Sequence, residues 1–218
     1  MDAAQLFQLF EENRNEERAR QMSAYMRNLF PFLGIQTPKR RELSREFLKE
    51  ARKKQAVDWE FVKRCWAKEE REYQYLALDY LKRMEKWLTA RDTVKLKELA
   101  LDKSWWDTVD VIDKLIGNIA LNHPKINEKL LEWSVADNIW LRRIAINHQR
   151  GRKEKTDTQL LEKVIVNNLG QTEFFIQKAI GWALREYSKT DPEWVRRFIK
   201  KHEGKMAPLS IREASKYL

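Results

Sequence analysis

The chain has 218 residues with only five prolines and six glycines, so most of it is regular structure and it is long enough to bury a large core. Lys and Arg outnumber Asp and Glu by 43 to 33, a formal net charge of +10, which points to a polyanion, nucleic acid ahead of a membrane surface, with plain solubility as the simpler explanation. The one cysteine, Cys65, excludes an internal disulfide framework, and no apolar run approaches the roughly 18 residues that span a bilayer, so a soluble, cytoplasmic protein is expected.

Taken in order, the periodicity predicts helices over 3–13 and 17–30, the second ending before Pro31 with Tyr25 in its last turns. Gly34 to Thr37 turns the chain into a basic helix over 38–50, with Pro38 at its first position because the missing N–H costs nothing there. Further helices are predicted near 58–68, 70–85, 91–101, 104–118, 124–135, 138–150, 157–168, 173–188 and 191–202. Ser210 and Glu213 form a capping box for a last helix over 210–218. No stretch alternates at period two.

Ala77, Val111, Ala145 and Ala179 recur at a 34-residue step, each inside an apolar helical pattern, and Val62, Leu96, Leu130, Val164 and Phe198 recur at the same step. Two interleaved series at one period mean stacked helix pairs. The expected fold is therefore all-α, a right-handed solenoid forming one domain over 1–218 with a concave basic face. The Trp, Gly-Tyr and Pro signature of tetratricopeptide repeats is absent, and the units are closer to HEAT repeats with short loops.

The densest chemistry lies in Lys103-Ser-Trp-Trp-Asp-Thr-Val-Asp110. Ser104 is expected to cap a helix whose third residue is Asp107, since a side-chain oxygen there satisfies N–H groups that lack an intrahelical partner. Trp106 and Asp110 then share one face at i and i+4, and Trp105 turns roughly 100° away toward a core. An indole beside a carboxylate grips a flat cation, the ring by cation–π attraction and the carboxylate by Coulomb attraction. The simpler readings are that Asp107 is only a cap, which the helix dipole also favours, that Asp110 pairs with Lys114, and that Trp106 is core. The in-register helices also offer Trp140 with Arg143, and Lys178 with Trp182 and Arg185, which suit phosphates and bases. His123, His148 and His202 lack metal-ligand spacing, so no metal and no cofactor is expected.

Tyr25-Met-Arg-Asn, Phe32-Leu-Gly-Ile-Gln-Thr-Pro, Lys103-Ser-Trp-Trp-Asp-Thr-Val-Asp, Asp137-Asn-Ile-Trp-Leu-Arg-Arg and Phe174-Phe-Ile-Gln-Lys-Ala-Ile-Gly-Trp-Ala-Leu-Arg-Glu-Tyr resemble the AlkD-type alkylpurine DNA glycosylases, built from HEAT-like repeats. The resemblance runs from about residue 20 to the last helix. It implies a catalytic cleft containing Trp106, Asp110 and Trp182, a phosphate contact for Arg143, and a lesion-strand contact for Tyr25. Gln36, Thr37, Arg41 and Arg185 are implied, less specifically, as backbone contacts. It also implies hydrolysis of the N-glycosidic bond of N3- and N7-alkylated purines in double-stranded DNA, without a base-flipping pocket. No lysine is placed beside Asp110 and Trp106 as a Schiff-base nucleophile, although Lys114 and Lys178 are near in the pattern, so a monofunctional enzyme that leaves an abasic site is expected. A solenoid with capped ends is expected to be a monomer, associated with the nucleoid through DNA binding. Two other classes stay open on the residues alone. One is a repeat protein that binds damaged or branched DNA without catalysis, and the other is a scaffold for protein partners.

Overall fold

Thirteen α-helices and four short 3-10 turns make up the regular structure of residues 1–218 in this computed structural model, and no strand forms. The chain falls into two compact units, Met1–Leu88 and Thr89–Leu218.

The first unit holds α1 (Ala3–Glu12), α2 (Glu16–Tyr25), α3 (Thr37–Lys53), α4 (Trp59–Trp66) and α5 (Arg71–Arg83). Helix α5 is buried on most sides, as its continuous Tyr-Gln-Tyr-Leu-Ala-Leu run requires, and packs on α3 and α4. Phe7, Phe10, Phe61, Tyr73 and Tyr80 interlock at ring-centroid distances of 4.7–6.3 Å with Phe47 at the edge. The buried Glu72 carboxylate accepts from the N–H groups of Leu33, Gly34 and Ile35 at 2.8–2.9 Å and so ties the segment before α3 to α5. Burial nonetheless pushes its pKa above the usual carboxylate range.

Helix α2 stops at Tyr25, short of the expected residue 30, because Arg27 and Asn28 adopt left-handed backbone at φ 59° and 56°. The N–H groups of Arg27 and Asn28 close the end onto the carbonyls of Ala24 and Ser23. A left-handed C-terminal pair ends a helix as firmly as proline does. Helix α3 begins at Thr37, one residue earlier than expected, so Pro38 is its second residue.

The second unit holds α6 (Asp92–Leu101), α7 (Trp106–Asn122), α8 (Ile126–Trp133), α9 (Ile139–Asn147), α10 (Thr158–Val166), α11 (Phe174–Ser188), α12 (Pro192–His202) and α13 (Pro208–Ala214). Helices α7, α9, α11 and α13 pack successively in one row, and α8, α10 and α12 each pack against that row. The 34-residue step is visible in the bonds that join neighbours in the stack. Arg143 donates to Asp110, Asn168 to the Ser134 carbonyl, Arg152 to the Gly117 carbonyl and Ser210 to the Gln177 carbonyl, across separations of 33, 34, 35 and 33 residues. Leu96, Leu130, Val164 and Phe198 are all buried, so the apolar series at that step is the core series.

Two expected caps are corrected. Helix α7 is preceded by Trp105 in extended backbone with no side-chain cap, while the Ser104 hydroxyl donates to the Ala100 carbonyl at 2.7 Å and closes the end of α6. Helix α13 starts at Pro208, two residues before the expected capping Ser210, whose hydroxyl is taken by Gln177, and Glu213 turns to cations instead. Residues 215–217 form a 3-10 turn in place of the expected last helical turn.

Candidate active site

Helix α7 carries Trp106 as its first residue and Asp110 one turn on, so the shared face expected of the pair survives the one-residue shift of the helix start. Trp105 turns the other way, into an aromatic cluster with Trp140 and Phe175 at centroid distances of 5.7 and 5.1 Å. That cluster joins the start of α7 to α9 and α11. It fixes where α9 and α11 lie against α7, because large rings bury much area in edge-to-face contacts.

Asp110 faces Arg143 on α9 in a two-pronged fork. Arg143 donates from Nε to Oδ1 at 2.7 Å and from Nη2 to Oδ2 at 2.8 Å, and from Nη1 to the Phe175 carbonyl at 2.7 Å. The Arg143 side chain is 1 % exposed and that of Asp110 17 %. A parallel fork fixes both carboxylate oxygens in plane, and burial of the guanidinium keeps water from competing for it. Asp110 pairs with Arg143, and the Lys114 side chain stands exposed on the same helix. The resemblance implies a phosphate contact for Arg143, and in the structure this guanidinium is enclosed and engaged inside the protein.

Trp182 on α11 stands among four cations. The guanidinium carbons of Arg143, Arg150 and Arg185 lie 5.2, 5.5 and 6.0 Å from its ring centroid, and Lys178 Nζ lies 5.4 Å away. Two of these are held in turn by Glu213 on α13, which accepts from Lys178 at 3.0 Å and Arg185 at 2.8 Å, and also from Lys216 at 2.9 Å. Lys216 and Lys178 hold the Glu213 pKa down at about 2. Gly181, beside Trp182, lets α13 approach so closely, since a Cβ there would lie 2.5 Å from Glu213 Cβ. Arg150 reaches toward buried Asp113, one turn beyond Asp110, at 3.7 Å.

Asp110, Trp106, Arg143, Trp182, Arg185 and Lys178, singled out from the sequence, thus all belong to the second unit, on α7, α9 and α11. Tyr25, Gln36, Thr37 and Arg41 belong to the first unit, where each is exposed, Tyr25 to 73 %. Trp140 is core, 8 % exposed. Sequence reasoning missed Arg150, Asp113 and Glu213. Glu213 carried a usable signal, since it stands one 34-residue step beyond Ala179, in the register where a further stacked helix presents its inward face.

Stacked helix pairs, with a forked Asp110–Arg143 pair and an indole ringed with cations on successive helices, define a helical-repeat protein. The chain belongs to the family of DNA alkylation repair enzymes, whose description matches residues 6–218, and its role is in DNA repair. It is similar in structure to a predicted DNA alkylation repair enzyme from Enterococcus faecalis, with 40% sequence identity and a TM-score of 0.86 over 94% of this chain and 97% of that one. It shares its fold with smu.31 from Streptococcus mutans UA159, at 20% identity and a TM-score of 0.59 over 82% of this chain and 97% of that one. No curated protein matches it by sequence.

Proposed function

We propose that the protein is a monofunctional DNA glycosylase that hydrolyses the N-glycosidic bond of cationic N3- and N7-alkylated purines in duplex DNA and leaves an abasic site. The observation that carries this reading is the Asp110 carboxylate, held in plane by Arg143, still partly exposed, and one helical turn from Trp106. A carboxylate facing phosphates weakens simple binding, so its place on a basic face calls for a role in bond cleavage.

An alkylpurine already carries a positive charge, so the C1′–N bond breaks with its electron pair going to the base, which leaves neutral. Charge then builds on the deoxyribose as an oxocarbenium ion, which Asp110 stabilises while it orients the attacking water and takes up its proton. Trp106 and Trp182 offer negative π faces to the same ion. Arg143 holds Asp110 in the orientation that steadies the cation and receives the water's proton, and Arg150, Arg185 and Lys178 meet the phosphates on either side. No enclosed pocket has to swallow the base, so selectivity follows leaving-group charge. The Lys178 ammonium is engaged by Glu213, which disfavours a Schiff-base nucleophile.

Chromatography of bases freed from methylated DNA tests the reading. The wild type should release 7-methylguanine far faster than uncharged 1,N6-ethenoadenine, and Asp110→Asn should lose about a hundredfold or more in rate while holding duplex affinity level or higher. Equal release by wild type and variant would remove Asp110 from the chemistry. Tight binding by both with no release would make this a DNA-binding repeat protein without catalysis.

A further inference from the structure

Asp113 is fully buried on α7, and neither of its carboxyl oxygens has a hydrogen-bond partner. The charged groups acting on it are Arg143 from α9, Arg150 from the turn that follows α9, and Asp110 and Lys114 from its own helix. Arg143 is already spent on Asp110, so Arg150 is the only guanidinium within reach, with Nη2 at 3.7 Å from Oδ2. That distance is a Coulomb contact, not a hydrogen bond. On its other side Arg150 covers the Trp182 ring at 5.5 Å and lines a cavity of about 350 Å³ with Gln149, Gly151, Tyr187 and Lys189, which gives it room to move. Arg150 therefore stands between a buried acid and the Trp182 ring, with open space beside it.

We propose that Asp113 is a positioning residue for Arg150: in its neutral form it leaves the guanidinium at the Trp182 face for a DNA phosphate, and in its ionised form it draws the guanidinium inward to a closed pair. A buried carboxyl without donors prefers to be neutral. Burial pushes the Asp113 pKa up to about 8, so the switch lies just above neutrality. The neighbouring Asp110 on the same helix also raises the Asp113 pKa, since two adjacent carboxylates oppose each other's ionisation.

The sign follows. As pH rises through about 8, Arg150 is withdrawn and DNA binding weakens. The proposal rests on reading the Trp182 face as the DNA-contacting one, and binding is measured separately from base release so that the two ideas can fail separately.

The experiment is equilibrium binding of the full chain to an unmodified fluorescent duplex between pH 6.5 and 9.5 at fixed ionic strength, with base release from methylated DNA followed in parallel. For the wild type the dissociation constant should rise about tenfold between pH 7 and 9, the loss of one charge-assisted contact. Asp113→Asn, which keeps the shape without the titration, should flatten the curve. Arg150→Gln should flatten it too and tests the same link from the partly exposed side should the Asn variant not fold. A wild-type curve that is already flat, or variants that keep its slope, would overturn the proposal. A slope lost in both variants, from a wild type that frees no base at any pH, would support Asp113 while sinking the glycosylase reading.

Discussion

His148 and Asp113 are two buried titratable side chains pulled in opposite directions. His148 is 2 % exposed, donates from Nδ1 to the Ala145 carbonyl at 2.7 Å, and has no partner at Nε2, so burial pushes its pKa down to about 3. Its neutral ring contributes stability that is present above pH 6.5 and lost as pH falls toward 3. Asp113 does the reverse, contributing stability that is full below about pH 4 and lost as pH rises toward 8. Between pH 6.5 and 4.5 each changes by about 1.4 kcal/mol per pH unit with opposite sign, so the wild type should be nearly flat there. Denaturant unfolding across that window should show His148→Gln gaining stability on acidification and Asp113→Asn losing it. Parallel slopes for all three proteins would mean that neither group titrates as its burial requires.

Neither residue was legible from sequence as unusual. Asp113 is three positions from Asp110 on a helix, a spacing that reads as an ordinary polar face, and only the packing of α9 across it decides that it is enclosed. Asp110 was legible because Trp106 stands one turn before it. Arg143 was legible as important but not as an inward partner, since the fork depends on the 33-residue offset between stacked helices. The 34-residue register already grouped Trp182 with these residues, and the family resemblance added the expectation that it lines a catalytic cleft.

The helices themselves, their partners and the 34-residue step were readable, because apolar periodicity records which face each helix buries. Ends were less so. Ser104 fits the pattern of a cap for α7, but the connection from α6 is so short that its hydroxyl finds the Ala100 carbonyl first. Gly117 in mid-α7 was read only as helix, where alanine would ordinarily gain about 1 kcal/mol. Here a Cβ would lie 2.0 Å from the His148 carbonyl oxygen, backbone that cannot step aside, so α7 and α9 meet through this glycine. Gly117→Ala should therefore cost about 2–3 kcal/mol, the range of core overpacking, and lower the thermal midpoint on the order of 5–10 °C. An unchanged or raised midpoint in a melt followed by circular dichroism would show that the contact relaxes freely.

At the scale of the molecule the basic surplus is shared: the first unit has 19 Lys and Arg against 15 Asp and Glu, the second 24 against 18. The division after Leu88 left no trace in the sequence, since no Pro- or Gly-rich linker marks it and the repeat step runs through it from Ala77 to Val111. The Asp110 cluster and an apolar core of its own lie in the second unit, so residues 89–218 should fold as a helical fragment. Charge in the first unit, with exposed Tyr25, Gln36, Thr37 and Arg41, is then expected to add phosphate contacts. Each phosphate neutralised contributes about 0.9 to the slope of log K against log salt. Titrations of one duplex at several salt concentrations should give the fragment a slope shallower than the full chain's by about 2 or more. Equal slopes would confine the DNA footprint to the second unit and strike those four residues from the interface, leaving the Asp110 site as it stands.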